Sequence, residues 1–395
     1  MVILNMKLNH ILCFNDFQIC FSYPRKLKKT TIQNENLKAF PSFKYKKLNV
    51  FLGSNASGKT SMIKVIYSFL NFISRKEERY IKDIINPCFR ESEAWIDYVD
   101  NHALHRMKIK TTENGKEDFK IFLSHSSVEL KQYDTYEKAA LVLDEINDNY
   151  EDYLLILNRM KDIPFEWNMI LPSTEENYDL IHFINTKDKN QERDYLSILN
   201  VILKTLDPSI IKITKSLDSD DAFVVHQENE ERIIIQSGNK ITDIKRLSSG
   251  TKYGINLANM VFAIKYHIGS IYLIDEQFSY ISSDIELAIL TTMVELLQED
   301  EQIFFTTHNQ EILSYPFPFH SFYFLRKDLY GKGKEIKVSC ASDYENRNNV
   351  NLFNLAQNDV FKTAPDIDAI YKIADKKRRT HEIQQTNTLL CRRRM

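Results

Sequence analysis

Glycine is scarce in this chain, nine among 395 residues, and proline is equally rare. No low-complexity linker and no internal repeat interrupts the sequence. A motif that needs two glycines at a fixed spacing also arises by chance less often here than in an average chain. The five cysteines (Cys13, Cys20, Cys88, Cys340 and Cys391) are odd in number and form no CxxC. That argues against a disulfide framework or a zinc site and for a reducing compartment. No apolar run approaches the length of a membrane span. Asn5, Lys7, Asn9 and His10 break up the first apolar residues, so no signal peptide is read. The expectation is a cytoplasmic protein with no membrane partner. A net charge of −2 excludes a globally basic nucleic-acid binder, although local basic faces leave nucleic acid open as a partner. Heptads do not persist for several turns, which excludes a long coiled-coil arm. What remains is 43% hydrophobic residues, enough to bury one large α/β core and a smaller lobe.

Two of the few glycines stand in Gly53-Ser54-Asn55-Ala56-Ser57-Gly58-Lys59-Thr60. The short apolar run 47–52 precedes this segment as a strand, and Ser61-Met62-Ile63-Lys64-Val65-Ile66 follows as the opening of a helix. Strand, GxxxxGK[ST] and helix in that order define a P-loop. Its glycines let successive N–H groups turn inward around a phosphate at a helix N-terminus. Lys59 would reach the β/γ-phosphates of ATP, and the Thr60 hydroxyl would ligate Mg²⁺. The bland alternative is a glycine-punctuated loop with no ligand.

Far downstream, the apolar run 270–274 ends in Asp275-Glu276, the hhhhDE form of a Walker B strand. Asp275 would hold Mg²⁺ directly or through water, and Glu276 would polarise the attacking water as general base. Gln302-Ile303-Phe304-Phe305-Thr306-Thr307-His308-Asn309 reads as a second buried strand ending in a polar cluster, where His308 would sense the γ-phosphate. Between P-loop and Walker B, Arg246-Leu247-Ser248-Ser249-Gly250-Thr251-Lys252 is a turn that opens an amphipathic helix. Ser248 is a helix cap on any reading. The helix start is also an anion site. The P-loop already cradles phosphates in its own chain, so Ser248, Ser249 and Gly250 suggest a site completed by another protomer.

The order GSNASGKT, LSSGT, IYLIDE, TTHN resembles the ABC-type ATPase head of the SMC, double-strand-break-repair and OLD families. Residues 16–24, 42–60, 274–286 and 304–309 are similar to ATPases of anti-phage systems such as PARIS, Septu and retron-associated modules. The resemblance implies an α/β P-loop NTPase of the ABC/SMC-head type: a mixed sheet flanked by helices, an antiparallel β layer and a helical lid. It implies an ATPase that binds ATP and Mg²⁺ as an ATP-dependent dimer or higher oligomer, with Ser248 and the Gly250 amide facing the partner's γ-phosphate. As a cellular role it implies the sensor or scaffold of an anti-phage system acting through a separate effector such as a nuclease. A DNA-repair or chromosome-maintenance ATPase binding DNA directly is the alternative. A transporter subunit is third, because the residues after Glu276 depart from the transporter pattern. Ser249 stands where signature motifs usually carry a first glycine, and Ser282 stands near the place of the D-loop aspartate. No Q-loop glutamine is identified.

The chain divides on this reading into residues 1–127 with the P-loop, a helical insertion over 128–205, a second core lobe over 206–330, and a C-terminal hairpin, helix and basic tail over 331–395. Ala94–Val99, Met107–Lys110 and Phe119–Leu123 read as antiparallel strands, with Asn114-Gly115 turning between the last two. Within the insertion Leu141, Val142, Ile146, Tyr150, Leu154 and Leu157 are spaced as a buried helical face. Asp366-Ile367-Asp368 has metal-binding spacing but reads as a helix start after Pro365. The clusters 376–379 and 392–394 read as a solvated helix end and a frayed tail.

Overall fold

The computed structural model describes residues 1–23, 31–116, 118–160, 188–216, 222–228, 232–236, 240–241, 248–278, 281–328, 335–344, 350–363 and 371. Arg246, Leu247, most of the second half of the insertion (161–187), the 366–368 acids and both basic clusters lie outside the described residues.

In chain order, β1 (Val2–Asn9), β2 (Phe17–Cys20) and β3 (Leu48–Leu52) lead into α1 (Lys59–Arg75) and α2 (Arg79–Lys82). Three ten-residue strands follow, β4 (Glu91–Asp100), β5 (Ala103–Thr112) and β6 (Lys120–Glu129). Next come α3 (Tyr136–Asp144), β7 (Glu151–Asp152), α4 (Tyr153–Arg159) and α5 (Lys189–Leu206). Strands β8 (Ile210–Lys215), β9 (Ala222–Gln227), β10 (Arg232–Gln236) and β11 (Lys240–Ile241) precede α6 (Ser249–Lys265). The chain continues through β12 (Ile271–Asp275), α7 (Ser283–Leu296), β13 (Gln302–Thr306), β14 (Phe322–Lys327), β15 (Ile336–Cys340), α8 (Ala341–Tyr344) and α9 (Leu352–Gln357).

These strands form a five-stranded sheet in the order β12-β13-β3-β14-β15, parallel except for the last strand. An antiparallel sheet orders as β2-β1-β4-β5-β6-β7, and another as β11-β10-β9-β8. Every residue of β3 and β13 is buried, as expected of a parallel sheet covered on both faces. Alternation sorts their side chains into two cores. Val50, Ile274 and Phe305 face α6, α7 and the β8–β10 layer. Phe51, Leu273 and Phe304 face α1 and the six-stranded sheet. Helix α1 serves that second core with Met62, Ile63, Ile66, Phe69 and Leu70, the three- and four-residue spacing of one helical face. It ends where Lys76, in the left-handed region at φ 59°, donates its N–H to Phe72 O.

The 94–99, 107–110 and 119–123 strands pair antiparallel, and the turn at Asn114-Gly115 connects β5 to β6. The face expected within the insertion differs. Leu157 is buried, whereas Leu141, Val142, Ile146 and Leu154 are exposed, and α3 buries Tyr136, Ala139 and Leu143 instead. Three- and four-residue spacing fits more than one face of a short helix, and the face used here is the one docked on β5 and β6. At the far end of the stretch, α5 packs closely on α6. A Cβ at Gly254 would stand 2.4 Å from Leu206 Cδ1 and 2.7 Å from Leu203 Cδ2.

Two buried polar devices tie the layers together. The Gln302 amide makes three hydrogen bonds to the backbone of two residues: Oε1 accepts from Ile3 N at 2.7 Å, and Nε2 donates to Ile3 O at 3.0 Å and Lys46 O at 3.1 Å. Arg106 on β5 forks onto Asp97 of β4 at 2.7 and 2.8 Å and also pairs with Asp144 at the end of α3. Tyr136 donates to the same Asp97 at 2.7 Å. Asp97 is fully buried and Arg106 nearly so, so removing the acid leaves a cation in a site of low polarity. Asp97→Ala is expected to cost about 3–5 kcal/mol in urea unfolding, with Asp97→Asn costing less.

Candidate functional site

Parallel pairing brings the carboxyl ends of β3, β12 and β13 to one edge of the five-stranded sheet, in the register Asp275↔Thr306 and Thr306↔Phe51. The loop 53–58 leaves β3 at that edge and α1 starts at Lys59, with Gly58 as its N-cap at φ 100°. Gly53 stands at φ 156°, and a Cβ there would lie 2.3 Å from Leu325 O and 2.5 Å from Ser57 Oγ. Ala56 adopts φ 61°. The result is an open cleft of about 520 Å³ lined by residues 55–61, Glu276 and His308.

Lys59 curls back over this loop. Its Nζ donates to Gly53 O at 2.9 Å and Ser54 O at 3.2 Å and lies 3.3 Å from His308 Nδ1. The opposite ring nitrogen of His308, Nε2, is 2.7 Å from Glu276 Oε1, which is itself 4.0 Å from Lys59 Nζ. A lysine donor at Nδ1 leaves Nε2 as the protonated nitrogen facing the carboxylate. Burial pulls the Lys59 ammonium below the ordinary lysine range, against the charges of Glu276 and Asp275. Asp275 accepts from Thr306 Oγ1 at 2.6 Å and Thr60 Oγ1 at 3.2 Å. Burial pushes its carboxyl above the usual range, and the Thr306 hydrogen bond opposes the shift. Glu276 occupies the left-handed region at φ 52°, its N–H held by Thr306 Oγ1 at 3.0 Å and Thr306 O at 3.2 Å. This strained turn directs its carboxylate back toward Lys59 and His308.

The residues expected at 53–61, Asp275, Glu276 and His308 thus meet at one edge. Ser248, Ser249 and Gly250 are not among the residues that line the cleft. Ser248 caps α6: its Oγ accepts from Thr251 N at 3.0 Å and lies 2.7 Å from Thr251 Oγ1, which donates to Asp207 at 3.3 Å. Ser249 and Gly250 form the first turn of α6. Two contributors, Thr306 and Gln277, lie outside the residues expected from sequence. Thr306 serves both acids of the Walker B turn, and its signal was a polar residue ending a buried strand, visible as a partner only once the register is known. Gln277 Nε2 donates to Asp275 O at 3.1 Å and its Oε1 accepts from Asn256 of α6 at 3.5 Å. Ser57 Oγ is buried and has no partner among the described residues.

No family model matches the sequence, and no curated protein matches it. Solved structures do. An SMC head solved bound to the C-terminal winged-helix domain of ScpA is 15% identical, covers 86% of this chain and 98% of its own, and has a TM-score of 0.50. The SMC head domain from Thermotoga maritima is 12% identical over 86% and 99% of the two chains, with a TM-score of 0.44. An SMC head with an extended coiled coil, bound to the C-terminal domain of ScpA derived from Pyrococcus furiosus, is 11% identical over 86% and 96%, at 0.49. The first of these matches agrees with the P-loop on a central parallel strand and the antiparallel layer beside it. The fold is that of an ABC/SMC-type P-loop NTPase head. Among the glycines at 53, 58, 115 and 254, Gly53 has the least room for a side chain, because the nearest blocking atom is backbone and not the end of a flexible side chain. Gly53→Ala is expected to cost about 1–3 kcal/mol by overpacking, measured by denaturant unfolding, and to distort the loop.

Proposed function

We propose that this protein binds MgATP at the 53–61 loop and hydrolyses it, working as a dimer or higher oligomer that closes on the nucleotide. The observation that carries the reading is the convergence of Lys59, His308 and Glu276 beside the Thr60–Asp275 pair. The residues fit the ligand. Among the described residues the Ser57 hydroxyl has no partner and Lys59 is held by neutral carbonyls, a histidine and one distant carboxylate, and that hydroxyl and the turned amides of the loop suit phosphate oxygens. Thr60 and Asp275 would hold Mg²⁺, which supplies charge neutralisation to the phosphates when bound. Lys59 binds the β/γ-phosphate charge, exchanging the carbonyls of Gly53 and Ser54 for phosphate oxygens. Glu276 accepts the proton of the attacking water, and His308, hydrogen-bonded to it, holds the carboxylate toward the γ-phosphate side. Thr306 keeps Asp275 and the Glu276 amide in place.

Ser248, Ser249 and Gly250 open α6 away from this cleft and supply an anion-binding helix start for a second head. Two heads paired antiparallel would each close the other's site. Among cellular roles we favour the sensor or scaffold of an anti-phage system with a separate effector. The support for it is the likeness of the four motif segments to such ATPases, together with an insertion in which no described helix exceeds the 18 residues of α5. The solved SMC head with a bound ScpA domain supports a protein partner. The same likeness favours the second reading, a chromosome-maintenance ATPase. Phage plating efficiency separates the two: the defence role expects a fall when the chain is expressed with its neighbouring genes. Unchanged plating together with DNA binding by the purified protein supports chromosome maintenance.

Lys59→Ala is expected to abolish hydrolysis and weaken MgATP binding in a folded protein, and unchanged affinity would remove the P-loop assignment. Glu276→Gln is expected to retain ATP and slow turnover by about 10²–10⁴-fold, trapping the dimer on a sizing column. Ser248→Arg is expected to block hydrolysis and ATP-driven association but not ATP binding by one head. Mixing it with Lys59→Ala builds dimers with one intact composite site, so partial recovery of activity is expected. Full activity of Ser248→Arg alone would place the whole site in one chain.

A further inference from the structure

Next to the site is a buried carboxylate that the mechanism above does not use. Glu286 lies on the first turn of α7, only 1% exposed. It accepts from Asn309 Nδ2 at 2.7 Å and from Thr307 Oγ1 at 3.4 Å. The two donors flank His308. The chain bends at His308, beyond the end of β13, and Asn309 N donates back to Thr307 Oγ1 at 3.0 Å. Thr307 and Asn309 turn toward α7, and His308 between them turns toward Lys59 and Glu276. Asn309 Nδ2 also donates to Ser283 Oγ at 3.0 Å, and Tyr315 OH donates to Ser283 O at 2.7 Å, so the first turn of α7 is gripped at two points. Asn309 Oδ1 accepts from Glu311 N at 3.0 Å, at the start of a 3₁₀ turn over Gln310–Ser314. Its amide is thereby fixed in orientation, with the NH₂ aimed at the carboxylate.

Burying a carboxylate is costly, and an apolar side chain would pack α7 with no such cost. A carboxylate contributes what an apolar residue lacks: directional acceptors that set the angle of the 307–309 segment. We propose that Glu286 is a positioning residue for His308, acting through Thr307 and Asn309 and coupling the start of α7 to the nucleotide site. Burial raises the Glu286 carboxyl, and the Asn309 and Thr307 hydrogen bonds oppose that shift, so the donors belong to the charged form. The catalytic consequence rests on the ATPase reading above, whereas the mechanical link does not.

Two measurements test this on the full-length chain. The first is steady-state ATPase kinetics of Glu286→Gln, Glu286→Ala, Asn309→Ala and the Glu286→Ala/Asn309→Ala double variant. Each alanine variant is expected to lose about 10–100-fold in kcat with KM within about threefold of wild type. The double variant is expected to be no worse than about twofold below the singles, because both act through one link. The isosteric Glu286→Gln keeps one acceptor and the packing, and it is expected to recover at least about a third of the wild-type kcat. The second is the ring ¹H–¹³C resonance of His308, assigned with His308→Gln in histidine-labelled protein without nucleotide. It is expected to shift in both Glu286→Gln and Asn309→Ala. Multiplicative losses in the double variant, a kcat near wild type in Glu286→Ala, or an unmoved His308 resonance would each overturn the link. Should the wild-type protein hydrolyse no ATP, the ATPase reading fails, and the resonance shift alone still decides for or against the coupling.

Discussion

Everything at the site depends on parallel pairing of β3, β13 and β12 in one register. The Asp275↔Thr306 and Thr306↔Phe51 pairs line up three strand ends from widely separated parts of the chain. A slip of one residue would turn Asp275 and Thr306 to opposite faces and break the hydrogen bond between them. Full burial on both faces holds the register, because Val50, Phe305 and Ile274 must serve one core while Phe51, Phe304 and Leu273 serve the other. Apolar packing therefore fixes the geometry of the polar groups. The hydrogen bonds around Asp275 then set angles within a frame that the side chains of the two cores have already positioned.

The site balances opposite charges at close range. Lys59 is drawn from water and its ammonium is met by carbonyl oxygens, a histidine nitrogen and Glu276. Each contact is weaker than a full ion pair in direct contact, which leaves the cation able to exchange partners. Glu276 is held at a backbone angle that a non-glycine residue adopts only when its surroundings compel it, and Thr306 supplies that compulsion through both of its backbone and side-chain oxygens. The cleft is thus stiff in its backbone and adaptable in its long side chains.

Motifs with a local cause were legible from sequence. The P-loop needs only glycine, lysine and threonine at set offsets, and the Walker B and histidine strands announce themselves as apolar runs ending in polar residues. The β4–β6 meander was legible for the same reason, with Asn114-Gly115 marking its turn. Features that depend on which strands become neighbours were not legible. Thr306 looked like any strand-end threonine, Gln277 like any loop residue, and Glu286 like the solvated first turn of a helix. The α3 face was misjudged because short helices carry several overlapping three- and four-residue patterns. The face that turns inward is set by the sheet it docks on, where Tyr136, Ala139 and Leu143 join the apolar cluster of Val2, Leu4, Phe43 and Leu104 and Tyr136 reaches Asp97.

The Gln302 amide bears on how the chain is made. Its two ends clasp Ile3 and Lys46, so the first strand of the protein is anchored by a side chain nearly 300 positions later. Likewise β3, formed early, has as its sheet neighbours β13 and β14, which lie beyond residue 300. During synthesis the N-terminal part emerges with a largely apolar strand whose two edges lack their sheet neighbours until residues beyond 300 are available. Such long-range closure is slow, and it leaves an aggregation-prone edge uncovered until those strands emerge. In the cell, the yield of folded protein should therefore depend on what shields β3 during that interval.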